Sequence, residues 1–331
     1  MQDGHLLAQV TEKRLMLFSG SGYREQAEGI AEKLDLELGE VELTQFKNGE
    51  MYARFGESVR GADVFIVQSL CEPVNKHLME LLIMIDAAKR ASAKRIVAVI
   101  PWYAYSRQDR KTKPREPISA RLVANLIKTA GADRVMTMDL HVGQIEGFFS
   151  FPVDHLTAMH AFVDYFTDKG FKDADDAVVV APDTGEVKVA QKLSEHLNLP
   201  WAIMGKTRHP GGESEVTHVI GEVEGKRAVM IDDIIDTAGT LCNAAERLVK
   251  EGATEVSAAG THGLFSGEAY EKIDASHLKE VVVTDTLPLK EGRPQSKIQS
   301  LTIAPILAST IHNVFTDSSV SEVFMGENQL F

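Results

Sequence analysis

Three carboxylates, Asp232, Asp233 and Asp236, crowd into five residues between the apolar run Val229-Met230-Ile231 and the segment Thr237-Ala238-Gly239-Thr240. The order is strand, acidic loop, helix. Thr237 to Thr240 offer backbone N–H groups, two hydroxyls and a residue without Cβ where a helix begins. The unpaired amides and the dipole of such a terminus favour a phosphate, so the loop can hold a phosphate ester without any lysine. Asp232 and Asp233, at the carboxyl end of a parallel strand, are suited to accept hydrogen bonds from sugar hydroxyls or to bind a cation. An N-capped helix behind solvated acids is the plainer alternative, but it gives no reason for three acids at one strand end.

Two further segments stand out by composition. Trp102–Pro117 is dense in Arg, Lys and Pro, and Lys206–Glu215 contains His209-Pro210-Gly211-Gly212; both read as exposed loops. A basic loop in an acidic chain is either a solvated surface or a phosphate contact. Gly20-Ser21-Gly22 lacks the full dinucleotide fingerprint and reads as a tight turn.

The elements that must position these groups alternate along the chain. β-Branched runs predict strands at Leu15–Phe18, Val64–Gln68, Arg95–Ile100 and Arg134–Met138, then at Ala177–Ala181, Arg227–Ile231, Glu255–Ala259 and Glu280–Thr284. Helical patterns fall near Arg24–Leu34, Lys76–Arg90, Ile118–Ala130, Glu186–Leu197, Gly239–Glu251 and Pro305–Val314. Such alternation predicts an α/β protein with parallel sheets. Phe151-Pro152 interrupts it, which predicts domains at 1–152 and 153–331, with the final residues packing back on the first.

The chain has 331 residues, 44% hydrophobic and 25% charged, enough for about two cores. Its formal charge of -13 repels a phosphate backbone and argues against a nucleic-acid partner. Cys71 and Cys242 form neither a disulfide framework nor a metal signature. Asp3, His5, Glu12 and Lys13 break any signal-peptide pattern, and Glu80 and Asp86 interrupt the longest apolar run. A cytoplasmic protein without membrane segments is expected.

The loop Asp232–Thr240 resembles the ribose 5-phosphate or phosphoribosyl pyrophosphate loop of type I phosphoribosyltransferase folds. Tyr105-Ser106-Arg107-Gln108-Asp109-Arg110-Lys111, Arg115-Glu116-Pro117-Ile118-Ser119-Ala120, Met138-Asp139-Leu140-His141 and Gln144-Ile145-Glu146-Gly147-Phe148-Phe149 resemble the class I ribose-phosphate pyrophosphokinases, as do Thr261-His262-Gly263 and Val283-Thr284-Asp285-Thr286. The resemblance runs from about Leu15 to Phe324 and implies two phosphoribosyltransferase-like domains, each with a mainly parallel sheet flanked by helices.

It also implies roles. Phe46, Asn48, Gly49 and Glu50 match part of an ATP site, with Phe46 on adenine, and Arg107 and Gln108 match its other contacts. His141 and Asp183 match magnesium-associated positions; two ions are expected, one of them with ATP. Asp183-Thr184-Gly185-Glu186 aligns with a pyrophosphate-binding turn. Arg208, Asp232, Asp233, Asp236, Thr237, Ala238, Gly239 and Thr240 match the ribose 5-phosphate site. Lys206 and Arg208 match the catalytic pair on a segment hinged by Gly205, Gly211 and Gly212. Many members carry Asp where Asn48 stands and a small residue where Glu186 stands.

The implied reaction, a step in nucleotide biosynthesis, moves the β,γ-pyrophosphoryl group of ATP to O1 of ribose 5-phosphate. The implied assembly is a homohexamer, activated by phosphate and inhibited by ADP through Ser58, Arg60, Ser319 and Ser321. A phosphoribosyltransferase explains Asp232–Thr240 equally well but not the ATP-like residues. A catalytically silent regulatory homologue is the other alternative.

Overall fold

The computed structural model describes residues 13–208 and 214–321, and the side chains of all of these except 206–208 and 214–217. The first half runs β1 (Leu15–Ser19), α1 (Arg24–Lys33), the hairpin β2 (Val41–Gln45) and β3 (Met51–Phe55), β4 (Asp63–Val67), α2 (Val74–Arg90), β5 (Arg95–Ile100), α3 (Ser119–Ala130), β6 (Arg134–Met138) and β7 (Val153–Leu156). Its main sheet is parallel throughout, in the order β1-β4-β5-β6-β7.

The second half runs α4 (Met159–Asp168), β8 (Ala177–Ala181), α5 (Val187–Leu197), β9 (Trp201–Arg208), β10 (Ser214–Ile220), β11 (Arg227–Ile235), α6 (Gly239–Lys250), β12 (Glu255–Gly263), α7 (Ala269–Ala275), β13 (Glu280–Thr284), β14 (Ile298–Leu301) and α8 (Ala304–Thr316). The sheet order is β10-β9-β8-β11-β12-β13-β14, with only β10 antiparallel.

Parallel strands buried on both faces need unbroken apolar runs, and β5 (Arg-Ile-Val-Ala-Val-Ile) and β8 (Ala-Val-Val-Val-Ala) supply them. Successive side chains enter different cores. Leu17, Val97 and Met136 face a helical layer that also receives Val179, Val229 and Val282 from the second sheet. Helices α1, α4, α5 and α8 fill that shared layer. Phe18, Val64, Ile96 and Val135 face the other way, under α2 and α3. On the far side of the second sheet, Val180, Met230 and Ala258 pack against α6 and α7. Leu307 and Ile311 of α8 meet Ala27 and Ile30 of α1, so the last helix ties the halves together.

Several readings of the sequence change. Val153–Leu156 pairs with β6, so the break at Phe151-Pro152 falls before the last strand of the first sheet and not between the sheets. Trp102, Tyr103 and Ala104, at the start of the segment expected to be exposed, are buried, because their apolar bulk closes the core above β5. Of the segment Lys206–Glu215, the described residues 206–208 and 214–215 belong to the antiparallel strands β9 and β10, with Lys206 opposite Val216 and Arg208 opposite Ser214. Among the described residues no helix is long and apolar enough to cross a membrane.

The second sheet reverses direction at its centre. From β8 the chain passes through α5 on one face to β9, whereas from β11 it passes through α6 on the other face to β12. The crevice outside the carboxyl ends of β8 and β11 is therefore a topological switch point, where such sheets bind ligands.

Candidate active site

Both sides of that crevice carry functional groups. β11 continues to Ile235, so Asp232 and Asp233 belong to the strand and not to a solvated loop. The turn Asp236-Thr237-Ala238 follows, with Ala238 in the left-handed region at φ 57°, and α6 begins at Gly239. Among the described residues, and apart from its own chain neighbours and helix backbone, nothing lies within 4 Å of where a Cβ on Gly239 would stand, leaving the backbone there open to a ligand. A cavity of about 280 Å³ is lined by Asp236 to Leu241 together with Arg107, Asp183 and Asp232. It adjoins a larger one of about 760 Å³ that shares Arg107, Asp183 and Asp232 and adds Arg110, His141, Thr184, Gly185, Glu186 and Asp233.

The larger cavity is dense in negative charge. Glu186, Asp232 and Asp233 each present a carboxylate oxygen, all within 4.8 Å of one another. Burial, then repulsion from Asp232, Asp233 and Asp183, pushes the Glu186 carboxyl up to about 8. Burial and the neighbouring Asp233 likewise raise Asp232 well above the usual range. An oxygen-rich set strained in this way fits a hard divalent cation, whose charge would relieve the repulsion.

His141, just after β6 of the first sheet, bonds through Nδ1 to Asp233 Oδ2 at 2.6 Å, and this contact raises its pKa. Arg107 pairs with Asp236 at 2.6 Å. Burial pushes Asp236 up, but bonds to Ser266 and Arg107 outweigh it and hold the carboxyl below its ordinary value. Both contacts cross from one half to the other, so the site is interdomain.

The two cavities bring together Arg107, His141, Asp183, Asp232, Asp233, Asp236, Thr237, Ala238, Gly239 and Thr240. Other expected residues lie elsewhere. Phe46, Gly49 and Glu50 line a separate pocket of about 620 Å³ with Met79 and Ile83. Asn48 accepts the Glu50 N–H at 3.2 Å inside the β2–β3 turn. Gln108 accepts the Ser119 hydroxyl at 2.6 Å at the start of α3. The Ser58 carbonyl accepts from Arg14, the Ser319 carbonyl accepts from Asn313, and Arg60 and Ser321 lie outside the three pockets. The side chains of Lys206 and Arg208, and the residues Gly211 and Gly212, lie outside the described part.

Of the charged residues of the larger cavity, Arg110 was given no role of its own from sequence, and Glu186 was expected only as part of the turn Asp183–Glu186. Arg110 had its signal in the basic loop. Glu186 had its own in the pairing with Asp183, a second acid three residues on at the end of a strand.

A doubly wound sheet that opens a helix N-terminus and an acidic crevice at its switch point defines an α/β protein of the phosphoribosyltransferase-like type, with a second sheet on the same plan. Residues 15–131 match the family described as the N-terminal domain of ribose phosphate pyrophosphokinase, and residues 211–325 match the phosphoribosyl synthetase-associated domain. The chain is 51% identical to ribose-phosphate pyrophosphokinase of Clostridium acetobutylicum, covering 95% of this chain and 98% of that one. The Fusobacterium nucleatum enzyme of the same name is 52% identical, with 93% and 97% covered. A crystal structure of phosphoribosylpyrophosphate synthetase from Mycobacterium smegmatis is similar with a TM-score of 0.87 and 46% identity, over 92% of this chain and 100% of that one. The chain belongs to the ribose-phosphate pyrophosphokinase family.

Proposed function

We propose that the protein transfers the β,γ-pyrophosphoryl group of ATP to O1 of ribose 5-phosphate, giving 5-phosphoribosyl 1-pyrophosphate and AMP. The observation that carries this reading is the adjoining pair of cavities, one built on a helix N-terminus and the other on carboxylates facing Arg107 and Arg110.

In this reading Thr237 to Thr240 hold the 5-phosphate through the amides that begin α6. Asp232 and Asp233 take the ribose hydroxyls and help hold a cation. O1 attacks the β-phosphorus in line, the new O1–P bond forms, and the bond to the AMP oxygen breaks. Catalysis is then alignment and neutralisation of developing charge. Arg107 contacts the nucleotide with Gln108, and Lys206 and Arg208 supply positive charge at the transferred group. Asp183 and His141, with the Glu186, Asp232 and Asp233 carboxylates, would hold magnesium, which would supply further charge neutralisation on the phosphates, and a second ion would arrive with ATP.

Phe46, with Asn48, Gly49 and Glu50, is assigned to adenine; its ring is 55% exposed beside Met79 and ready to stack. The protein is further proposed to act in the cytoplasm as a hexamer of two-domain subunits. Its phosphate and ADP site would use Ser58, Arg60, Ser319 and Ser321.

Phosphorus NMR of the protein with ATP, magnesium and ribose 5-phosphate tests the reaction. AMP and a sugar 1-pyrophosphate should appear together, and only when all three are present. Intact ATP would leave the catalytically silent homologue, and turnover of the sugar pyrophosphate with a base would favour a phosphoribosyltransferase.

A further inference from the structure

Asp139, Thr261, His262 and Thr286, in three segments quoted for their family resemblance, have no role in the mechanism above, yet they converge. The Asp139 carboxylate is fully buried behind the site and accepts the Thr261 hydroxyl at 2.6 Å and the Ala158 N–H at 2.9 Å. The Asp139 carbonyl meets His262 Nε2 at 2.9 Å, and His262 Nδ1 meets the Thr286 hydroxyl at 3.0 Å. A carbonyl can only accept, so His262 carries its proton on Nε2. Burial lowers the His262 pKa to about 4 and keeps the ring neutral. Asp139 itself sits at φ 26°, a conformation that a residue with a Cβ adopts only when its surroundings impose it. The next residue is held too, because the Leu140 N–H donates to His155 Nε2 at 2.8 Å.

The consequence lies one residue further on. We propose that Asp139 and His262 are positioning residues, which lock the Asp139-Leu140-His141 turn of the first sheet onto the second so that His141 faces Asp233. The proposal rests on the reading that His141 and Asp233 belong to the working site. Neither Asp139 nor His262 touches the cavity; they act through the backbone of the turn. Thr261 and Thr286 complete the network from the second sheet, so the two halves cannot shift against each other without breaking it.

The test uses His262→Leu, which removes the Nε2 donor at similar bulk, and His262→Gln, whose amide restores a donor at that place. Steady-state turnover is measured with saturating magnesium, alongside thermal melting. In His262→Leu, kcat should fall by about tenfold or more, as for other outer-shell groups, with both substrate KM values within about twofold. His262→Gln should recover most of the loss. Unchanged kcat in a folded His262→Leu, or a loss in which KM rises equally and Gln restores nothing, overturns the proposal. Should His262→Leu not fold, Thr261→Val decides by the same criterion. If the wild-type protein does not form AMP from the substrates, the functional reading fails before this comparison begins.

Discussion

The two halves repeat one plan and use the same crevice in opposite ways. In the second half, the turn after β8 and the end of β11 open into cavities, and space surrounds Gly239. In the first half the equivalent neighbours are β1 and β4, and the crevice at their ends is filled by the protein itself. Glu80 of α2 accepts the Ser21 N–H at 2.7 Å, the Ser21 hydroxyl at 2.9 Å and the Gln68 amide at 2.8 Å. Gln68 in turn accepts the Gly22 N–H at 3.0 Å. A buried carboxylate thus meets the donors that an anionic ligand would otherwise satisfy. The same scaffold becomes a structural joint when its donors are answered internally, and an open cavity, the proposed substrate site, when they are not.

This contrast predicts opposite penalties. Asp233→Asn removes a charge from the open crevice at constant shape, and kcat/KM should fall by about 10²- to 10³-fold. Its metal-free stability should stay level or rise, because like charges have been separated. A variant that loses stability and keeps turnover would break the comparison. Glu80→Ala in the closed crevice should do the reverse. It removes the acceptor of three donors, of which the Gln68 amide is buried, and should cost about 1–3 kcal/mol in denaturant unfolding, with turnover at 25 °C changed little. Gly22→Ala probes the same packing, since its Cβ would lie 2.6 Å from the Ser69 carbonyl oxygen; about 1–3 kcal/mol is expected to be lost.

A pH prediction sharpens the electrostatic side. The Glu186 carboxyl rises from an ordinary 4.5 to about 8 in the folded chain. Between those values the folded state holds the extra proton, so metal-free stability falls as pH rises through that window. Glu186→Gln should flatten this slope and raise the metal-free melting temperature at pH 8 by about 2 °C or more. Added magnesium should restore the wild type and have less effect on the variant. An identical slope in both proteins would detach Glu186 from the charge cluster.

What the sequence disclosed follows from how local each feature is. β5, β6, β8 and β13 were legible to the residue because strands buried on both faces carry unbroken apolar runs. The hairpin β2–β3 was missed, since Glu42, Thr44, Gln45 and Arg54 keep its outer face polar. The edge strand β14 offered only Ile298 and Leu301. The turn at the start of α6 was legible as a candidate site because its donors lie within four consecutive residues, and the structure opens a cavity there. The His141–Asp233 bond joins residues 92 apart on different sheets, and no spacing rule reaches across that distance. Glu186 stood within a turn quoted from sequence, but its charge acquires meaning only where Asp232 and Asp233 approach it.

The smallest effect separates affinity from folding most cleanly. Gly239 opens α6 with ordinary backbone angles and clear space around its missing Cβ. An alanine there restricts the unfolded chain without a clash, so stability should rise by about 0.5–1 kcal/mol. The added methyl nevertheless occupies the approach to the helix amides. The KM for ribose 5-phosphate should therefore increase several-fold while kcat and the KM for ATP hold, the pattern of lost uniform binding. Stability gained and sugar-phosphate affinity lost in one substitution would show that this glycine is kept open for a ligand. If both parameters hold, the phosphate sits away from the start of α6, and the contrast with the packed Gly22 becomes one of packing alone.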